Sequence, residues 1–367
     1  MINRVDVYRY SIPMHPFTIA TGTMDHAQNI LVKVHCDDGI TGFGECSAFP
    51  MITGESQATC FEMGCVFANA WIGSDEKEIV NRMGVLDTIA AFNFTIKSAF
   101  DMALYDIAAK QKNLPLYRFL GGHKRVMETD LTIGIDTPEN MANKASDFIK
   151  MGVRIIKVKL GKDATSDIER VQRIREAAGD KVILRVDANQ GWSFDEAVRC
   201  LQAIEPYQIE FCEQPMRYWN DELLPVLRSQ TTIPLMADES VFDHHDARKL
   251  VSMNACDYIN IKFAKSGGIL EATKIVDTCS KVNMPMMMGG MLESRLALTA
   301  FAHFALAHET IRFYDMDTCM LGHKVDPVLG GVMFKGFYLD VPDSTGIGAS
   351  VNEDFLRACP VFTAVFQ

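Results

Sequence analysis

RIIKVKLG, residues 154–161, has the apolar content of a strand enclosed on both faces, yet it carries two lysines one residue apart. Residues i and i+2 of a strand point to the same side, so Lys157 and Lys159 share a face. Neighbouring ammonium groups repel, and lysine is seldom buried without a partner. The stretch therefore reads as a buried strand whose lysines must meet acids from other parts of the chain.

Outward from it, short apolar runs recur. They are TDLTIGI before it and KVILRVD, QIEFCE, PLMAD, DYINIK, MPMMMGG and TIRFYD after it. Amphipathic helical stretches such as SDIERVQRIREAAG and GGILEATKIVDTCSKV lie between them. Alternating strands and helices imply a parallel sheet, and eight such units of near-constant length imply a closed barrel. The spacing predicts an α/β protein built on a closed TIM-type barrel, residues 123–318. Ahead of the barrel, residues 1–122 read as a separate α+β unit. It has the strands RVDVYRYSI and NILVKVHCDDGITGFGE and a helix over 97–111 that places Phe100, Ala103, Leu104, Ile107 and Ala108 on one side. The tail, 319–367, has no further strand–helix unit and is expected to pack back on the N-terminal domain.

A chain of 367 residues with 48% hydrophobic content can fill both cores. The net charge of −11 argues against nucleic acid as a partner. The ten cysteines form no C-x-x-C pair and read as reduced thiols of a cytoplasmic protein. No apolar run approaches the roughly 20 residues of a membrane span, and MINRVDVYRY is not an apolar leader.

The last charged residues of the runs are Lys159, Asp187, Glu213, Asp238, Lys262 and Asp315. Their separations are 28, 26, 25 and 24 residues and then 53, which is two units. Charge thus recurs at the C-terminal ends of the strands, the face where barrel enzymes place their active sites. Asp187, Glu213 and Asp238 converge on one point, which requires a cation. Hard oxygen donors without His or Cys suit Mg²⁺, with Mn²⁺ second. The structural alternative is that some of these acids cap the following helices. Lys157 and Lys159 precede the triad and Lys262 follows it, on opposite sides of the ion. A neighbouring ammonium and a dication both disfavour charge on Lys159, which can then act as a base. Lys157 is expected to stay charged and help hold a substrate carboxylate. Two bases facing one carbon suit a 1,1-proton transfer through an enediolate that the metal stabilises.

MALYDIAAKQKNLPLYRFLGG, KVKLG, RVDANQGW, EQP, ADES, INIKFAKSGG and GGMLES resemble, in order and spacing, the muconate-lactonising-enzyme-like subgroup of the enolase superfamily. The resemblance runs through nearly the whole chain. It implies a capping domain on a (β/α)₇β barrel, with Lys159 and Lys262 as the acid/base pair and Asp187, Glu213 and Asp238 as metal ligands. Asn189 matches a position near the metal, and Lys265 is not expected to act as a base.

Within the subgroup, YDMDT (314–318) is similar to the D-x-D pair of dipeptide epimerases, which implies that Asp315 and Asp317 hold a substrate's α-ammonium. Asp317 also fits a helix N-cap. Thr132 matches a position that contacts dipeptides. Side-chain specificity is expected from loops at 16–23 and 47–56, neither of which contains Lys or Arg. Where epimerases of the Ala-Glu type carry a basic residue, this chain has Gly22, so the expected substrates are Ala-Xaa dipeptides with small or apolar Xaa, such as Ala, Val or Met. Met286, Met287 and Met288 are candidates for an adaptable pocket wall or for core. The alternative on the same scaffold is an N-succinylamino acid racemase or o-succinylbenzoate synthase, whose substrates lack the free ammonium. A homo-oligomer is expected, with a small-molecule dipeptide as ligand and no membrane partner.

Overall fold

The computed structural model describes residues 1–366. Three antiparallel strands open the chain: β1 (Ile2–Ile19), β2 (Gly22–Cys36) and β3 (Thr41–Ser47). Val361–Val365, at the other end of the sequence, pairs with the outer side of β1. The helix Phe94–Gln111 lies against β3 and is buried on most of its surface. That burial explains its low amphipathicity, because a helix enclosed all round carries no polar stripe. Its approach to β3 depends on two glycines. A Cβ at Gly44 would overlap the carbonyl of Ala99, and one at Gly42 the carbonyl of Ala103. Gly44→Ala is therefore expected to cost about 1–3 kcal/mol or more by overpacking, read as a lower midpoint in denaturant unfolding.

The barrel follows as β4 (Leu131–Ile133), β5 (Ile155–Lys159), β6 (Ile183–Asp187), β7 (Ile209–Glu213), β8 (Leu235–Ala237), β9 (Tyr258–Ile261), β10 (Met286–Gly289) and β11 (Ile311–Asp315). All eight are parallel and neighbour one another in sequence order. Helices such as Pro138–Lys150, Ala164–Ala178 and Arg295–Ala307 return each strand to the next, and β11 is followed by only one turn. At the seam between β11 and β4, Asp130 N–H donates to the Tyr314 carbonyl at 3.3 Å. Thr132 N–H donates to the Asp317 carboxylate at 2.6 Å, so a side chain supplies an acceptor where a ladder partner would otherwise stand. Among the described residues, no helix is long and apolar enough to cross a membrane.

The expected loop at 16–23 is instead the tip of a β-hairpin. Phe17 pairs with Met24, Thr18 with Thr23 and Ile19 with Gly22, and the two threonine hydroxyls meet at 2.8 Å. β-Branched residues on both arms favour extended backbone here. The tip is tied down by the Ile135 N–H, which donates to the Thr18 carbonyl at 2.9 Å.

Candidate active site

The side chains at the strand ends form one connected ion network. Lys157 is fully enclosed, and its Nζ lies 2.7 Å from Glu213 Oε2, 2.7 Å from Asp315 Oδ2 and 3.2 Å from Asp187 Oδ2. Lys159 Nζ donates to Asp187 Oδ2 at 2.6 Å. Lys262 Nζ is 2.9 Å from Asp238 Oδ2. Burial opposes charge on Lys157 and Lys262, but the surrounding carboxylates outweigh it and raise both ammonium groups above the ordinary lysine value. Burial likewise opposes charge on Asp187, where Lys159, Lys157 and Lys262 more than offset it. Glu213 has less help, and burial with Asp187 pushes it up to about 7.

None of the three triad acids caps a helix. The caps come from Thr137, Asp163, Ser193, Asp243 and Ser294. Lys265 is also enclosed. It pairs with Asp238 and donates to the carbonyls of Asp238, Val241 and Asn260, so its N–H groups are committed to the scaffold. The turns beyond β6 and β7 are strained. Asn189, Gln190 and Gln214 have φ of 41°, 67° and 36°, a conformation that costs non-glycine residues about 1 kcal/mol each. Gln214 holds its neighbour in place by accepting from the N–H groups of Asp238 (2.8 Å) and Ser240 (3.2 Å).

The acids fit a hard dication. Both oxygens of Asp238 and Oε2 of Glu213 lie near an ammonium but accept no directed hydrogen bond, and they are fully buried. Glu239 Oε2, Asn189 Oδ1 and Asn260 Oδ1 are unpartnered close to them in the chain or the sheet. Such a concentration of unsatisfied oxygen acceptors is what Mg²⁺ coordination uses.

A second acidic group lies at the seam. One carboxylate oxygen from each of Asp130, Asp315 and Asp317 falls within 4.8 Å of the others. Asp317 occupies the N-cap position of its short helix but makes no cap bond, and its carboxylate goes to Thr132 instead. Burial and Asp315 push Asp317 up to about 6.

A cleft of about 380 Å³ is lined by Lys159, Lys262, Asp315, Asp317 and Thr132 together with Phe17, Ile133, Met291 and Leu292. The hairpin tip supplies Phe17 and Thr18, but nothing from 47–56 reaches the cleft. That segment instead sets Met51 against Gly22 and so backs the hairpin. Met286, Met287 and Met288 are all core: the first and last join the main hydrophobic cluster, and Met287 fills the barrel interior with Phe211 and Met236.

The N-terminal 2–121 match the family model of the mandelate racemase / muconate lactonizing enzyme N-terminal domain, and 140–355 match the enolase C-terminal domain-like model. The chain belongs to the enolase superfamily. Within this superfamily, a D-Ala-D/L-Ala epimerase of Cytophaga hutchinsonii is 44% identical over 360 residues, 97% of each chain. A hydrophobic dipeptide epimerase of Enterococcus faecalis is 40% identical over 91% of this chain and 95% of its own. The crystal structure of the Cytophaga hutchinsonii dipeptide epimerase, complexed with Mg and D-Ala-L-Val, superposes with a TM-score of 0.98 at 43% identity, covering 99% of both chains. An N-succinyl Arg/Lys racemase from Bacillus cereus superposes at 0.95 with 29% identity over the whole of both. These relatives are epimerases and racemases, and this member of the superfamily is an isomerase.

Sequence reading missed Asp130, Glu239, Gln214 and Lys144. Glu239 is buried beside Asp238, accepts from Asn189 Nδ2 at 3.2 Å, and is pushed up to about 8 by burial and Asp238. Its adjacency to Asp238 in ADES was the available signal. Lys144 reaches the cleft from the helix Pro138–Lys150, one helix away from where specificity was sought.

Proposed function

We propose that this isomerase is a Mg²⁺-dependent dipeptide epimerase that inverts the Cα of the C-terminal residue of Ala-Xaa dipeptides, with Xaa small or apolar. The observation that carries the reading is the order of strands round the barrel. Lys159 ends β5 and Lys262 follows β9, four strands apart in a ring of eight and so opposite one another. One arc between them, β6 to β8, bears Asp187, Glu213 and Asp238; the other, through the seam of β11 and β4, bears Asp315, Asp317 and Thr132. A zwitterion laid across the cleft puts its carboxylate on the first arc, its ammonium on the second, and its Cα between the lysines.

Asp187, Glu213 and Asp238 would hold the ion. Mg²⁺ held there would supply positive charge against the negative charge that develops on the substrate carboxylate. Lys159 and Lys262 act from opposite faces, one removing the α-proton and the other returning a proton to the far side. Lys157, enclosed between the two arcs, stays charged and favours the substrate carboxylate electrostatically. Asp315 and Asp317 orient the ammonium, and the apolar wall of Phe17, Ile133, Met291 and Leu292 receives the side chains. Residues 1–122 and the tail 319–367 serve as the cap over the 123–318 barrel.

Because Asp317 titrates near 6, it loses its charge below that pH and with it the attraction for an ammonium. KM for Ala-Ala is expected to rise about tenfold per pH unit below 6, measured by initial rates at constant ionic strength.

The direct test is incubation with a library of Ala-Xaa and Xaa-Ala dipeptides in D₂O, with Mg²⁺ or with EDTA, read by mass spectrometry. Metal-dependent deuterium at the C-terminal Cα of Ala-Ala, Ala-Val and Ala-Met is expected. Exchange on N-succinylamino acids, with none on any dipeptide, would transfer the assignment to acylamino acid racemisation.

A further inference from the structure

We propose that Asn29 of the capping domain and His323 of the tail are positioning residues for the apolar wall of the cleft, and that by fixing Leu292 they set the preference for larger apolar side chains in the substrate. This rests on the dipeptide reading above. Met291 and Leu292 line the cleft. They lie between the end of β10 and the helix Arg295–Ala307, outside any strand or helix. A buried segment without a ladder must find partners for its carbonyls elsewhere. The Met291 carbonyl accepts from Thr318 Oγ1 at 3.0 Å, and the Leu292 carbonyl from Asn29 Nδ2 at 3.2 Å and His323 Nε2 at 3.1 Å. A carbonyl only accepts, so His323 must carry its proton on Nε2. Both lone pairs of the Leu292 oxygen are thereby engaged, by two parts of the chain that lie outside the barrel.

Asn29 is itself oriented. On β2 it pairs with Ser47 of β3, which puts Glu45, two residues back, on the same face. Asn29 Nδ2 donates to Glu45 Oε1 at 2.7 Å. Glu45 also accepts from the Ser294 N–H at 2.8 Å, Ser294 Oγ at 2.6 Å and the Ala297 N–H at 3.2 Å. An oxygen that already accepts from a backbone N–H calls for a donor from Asn29, so the amide turns its nitrogen towards both Glu45 and Leu292. Asn29 Oδ1 accordingly has no partner among the described residues. Ser294 and Ala297 stand at the start of the helix that follows the wall. The capping strands therefore hold the segment at Leu292 and again at Ser294, although nothing from 47–56 reaches the cleft.

His323→Ala and Asn29→Ala each remove one donor to Leu292. Asn29 is fully buried and His323 half-buried, so His323→Ala is the milder truncation. In each variant the ratio of kcat/KM for Ala-Met to that for Ala-Ala is expected to fall about fivefold or more, because each methylene seated in an apolar pocket is worth about tenfold or more and Ala-Ala makes the least use of the wall. The ratio does not depend on how much of the enzyme is folded, so a loss of stability alone leaves it unchanged. His323→Gln, which keeps an N–H donor, is expected to restore it. An unchanged ratio in either alanine variant, or an equal fall in His323→Gln, overturns the proposal. Hydrogen exchange read by mass spectrometry needs no turnover. The amides of 290–294 should exchange about fivefold faster or more in both alanine variants, the equivalent of one hydrogen bond, with 187–192 unchanged. Equal rates at 290–294 overturn the clamp. Faster exchange there in a protein that epimerises no dipeptide sinks the functional reading instead, and leaves the clamp standing.

Discussion

Lys159→Ala and Lys262→Ala are each expected to abolish epimerisation, with kcat lower by about 10²–10⁴-fold, the usual worth of a positioned acid or base. Each variant nonetheless keeps one half of the reaction. The remaining lysine faces one side of Cα, so it can still exchange the α-proton of the single configuration that presents its proton to that side. In D₂O, the two variants should therefore label opposite stereoisomers of the same Ala-Xaa dipeptide without interconverting them. Chiral chromatography with mass detection reads both quantities at once. Full activity in either variant, or labelling of the same stereoisomer by both, would remove the two-base mechanism. The prediction has this sharp form because the lysines stand four strands apart in an eight-strand ring and pair with different acids, Asp187 and Asp238.

Chelation of the divalent ion is expected to bring exchange at Cα to background, a loss of at least about 10³-fold if the ion supplies several kcal/mol to the developing carboxylate charge. Added Mg²⁺ should restore it, whereas Asp238→Asn should not recover at the same Mg²⁺ concentration. Binding has a readout of its own, since a ligand that favours the folded state raises the melting temperature as RT ln(1 + [L]/Kd). The pH dependence follows from Glu213. Its carboxyl sits near 7, pushed up by burial and Asp187, and it must be ionised to coordinate. Mg²⁺ affinity is therefore expected to weaken as pH falls below about 7. Melting curves that Mg²⁺ does not shift at pH 8 would exclude the three acids as its site.

What could be read along the chain was whatever is local to a strand. The lysine pair in RIIKVKL, the acids ending RVD, FCE and MAD, and the aspartates of YDMDT all lie where a parallel strand leaves its barrel, and a period of about 25 residues exposed them. The residues that escaped are those whose role depends on a neighbour distant in sequence. Asp130 stands at the start of β4 and gains meaning only because the seam brings it to Asp315 and Asp317. Met286 to Met288 form one apolar run; strand alternation separates Met287 from its two neighbours, but only closure of the barrel makes its side the interior. Lys144 lies on the helix Pro138–Lys150, and only the folded chain brings it to the cleft.

The sequence by itself determined the alternation of strand and helix, the charge at each strand end, and the choice of oxygen donors over sulfur or imidazole. Side-chain period and chemical type are properties of short segments, and they survive whatever the rest of the chain does. Tertiary structure alone decided which of those ends face one another. Closure of β11 on β4, by a backbone hydrogen bond and the carboxylate of Asp317, turns a linear list of charges into two opposed arcs with a lysine at each boundary. An open sheet with the same strands would spread those charges along an edge. The ring sets the arc of Asp187, Glu213 and Asp238 opposite the arc of Asp315 and Asp317, because closure makes the first strand and the last into neighbours.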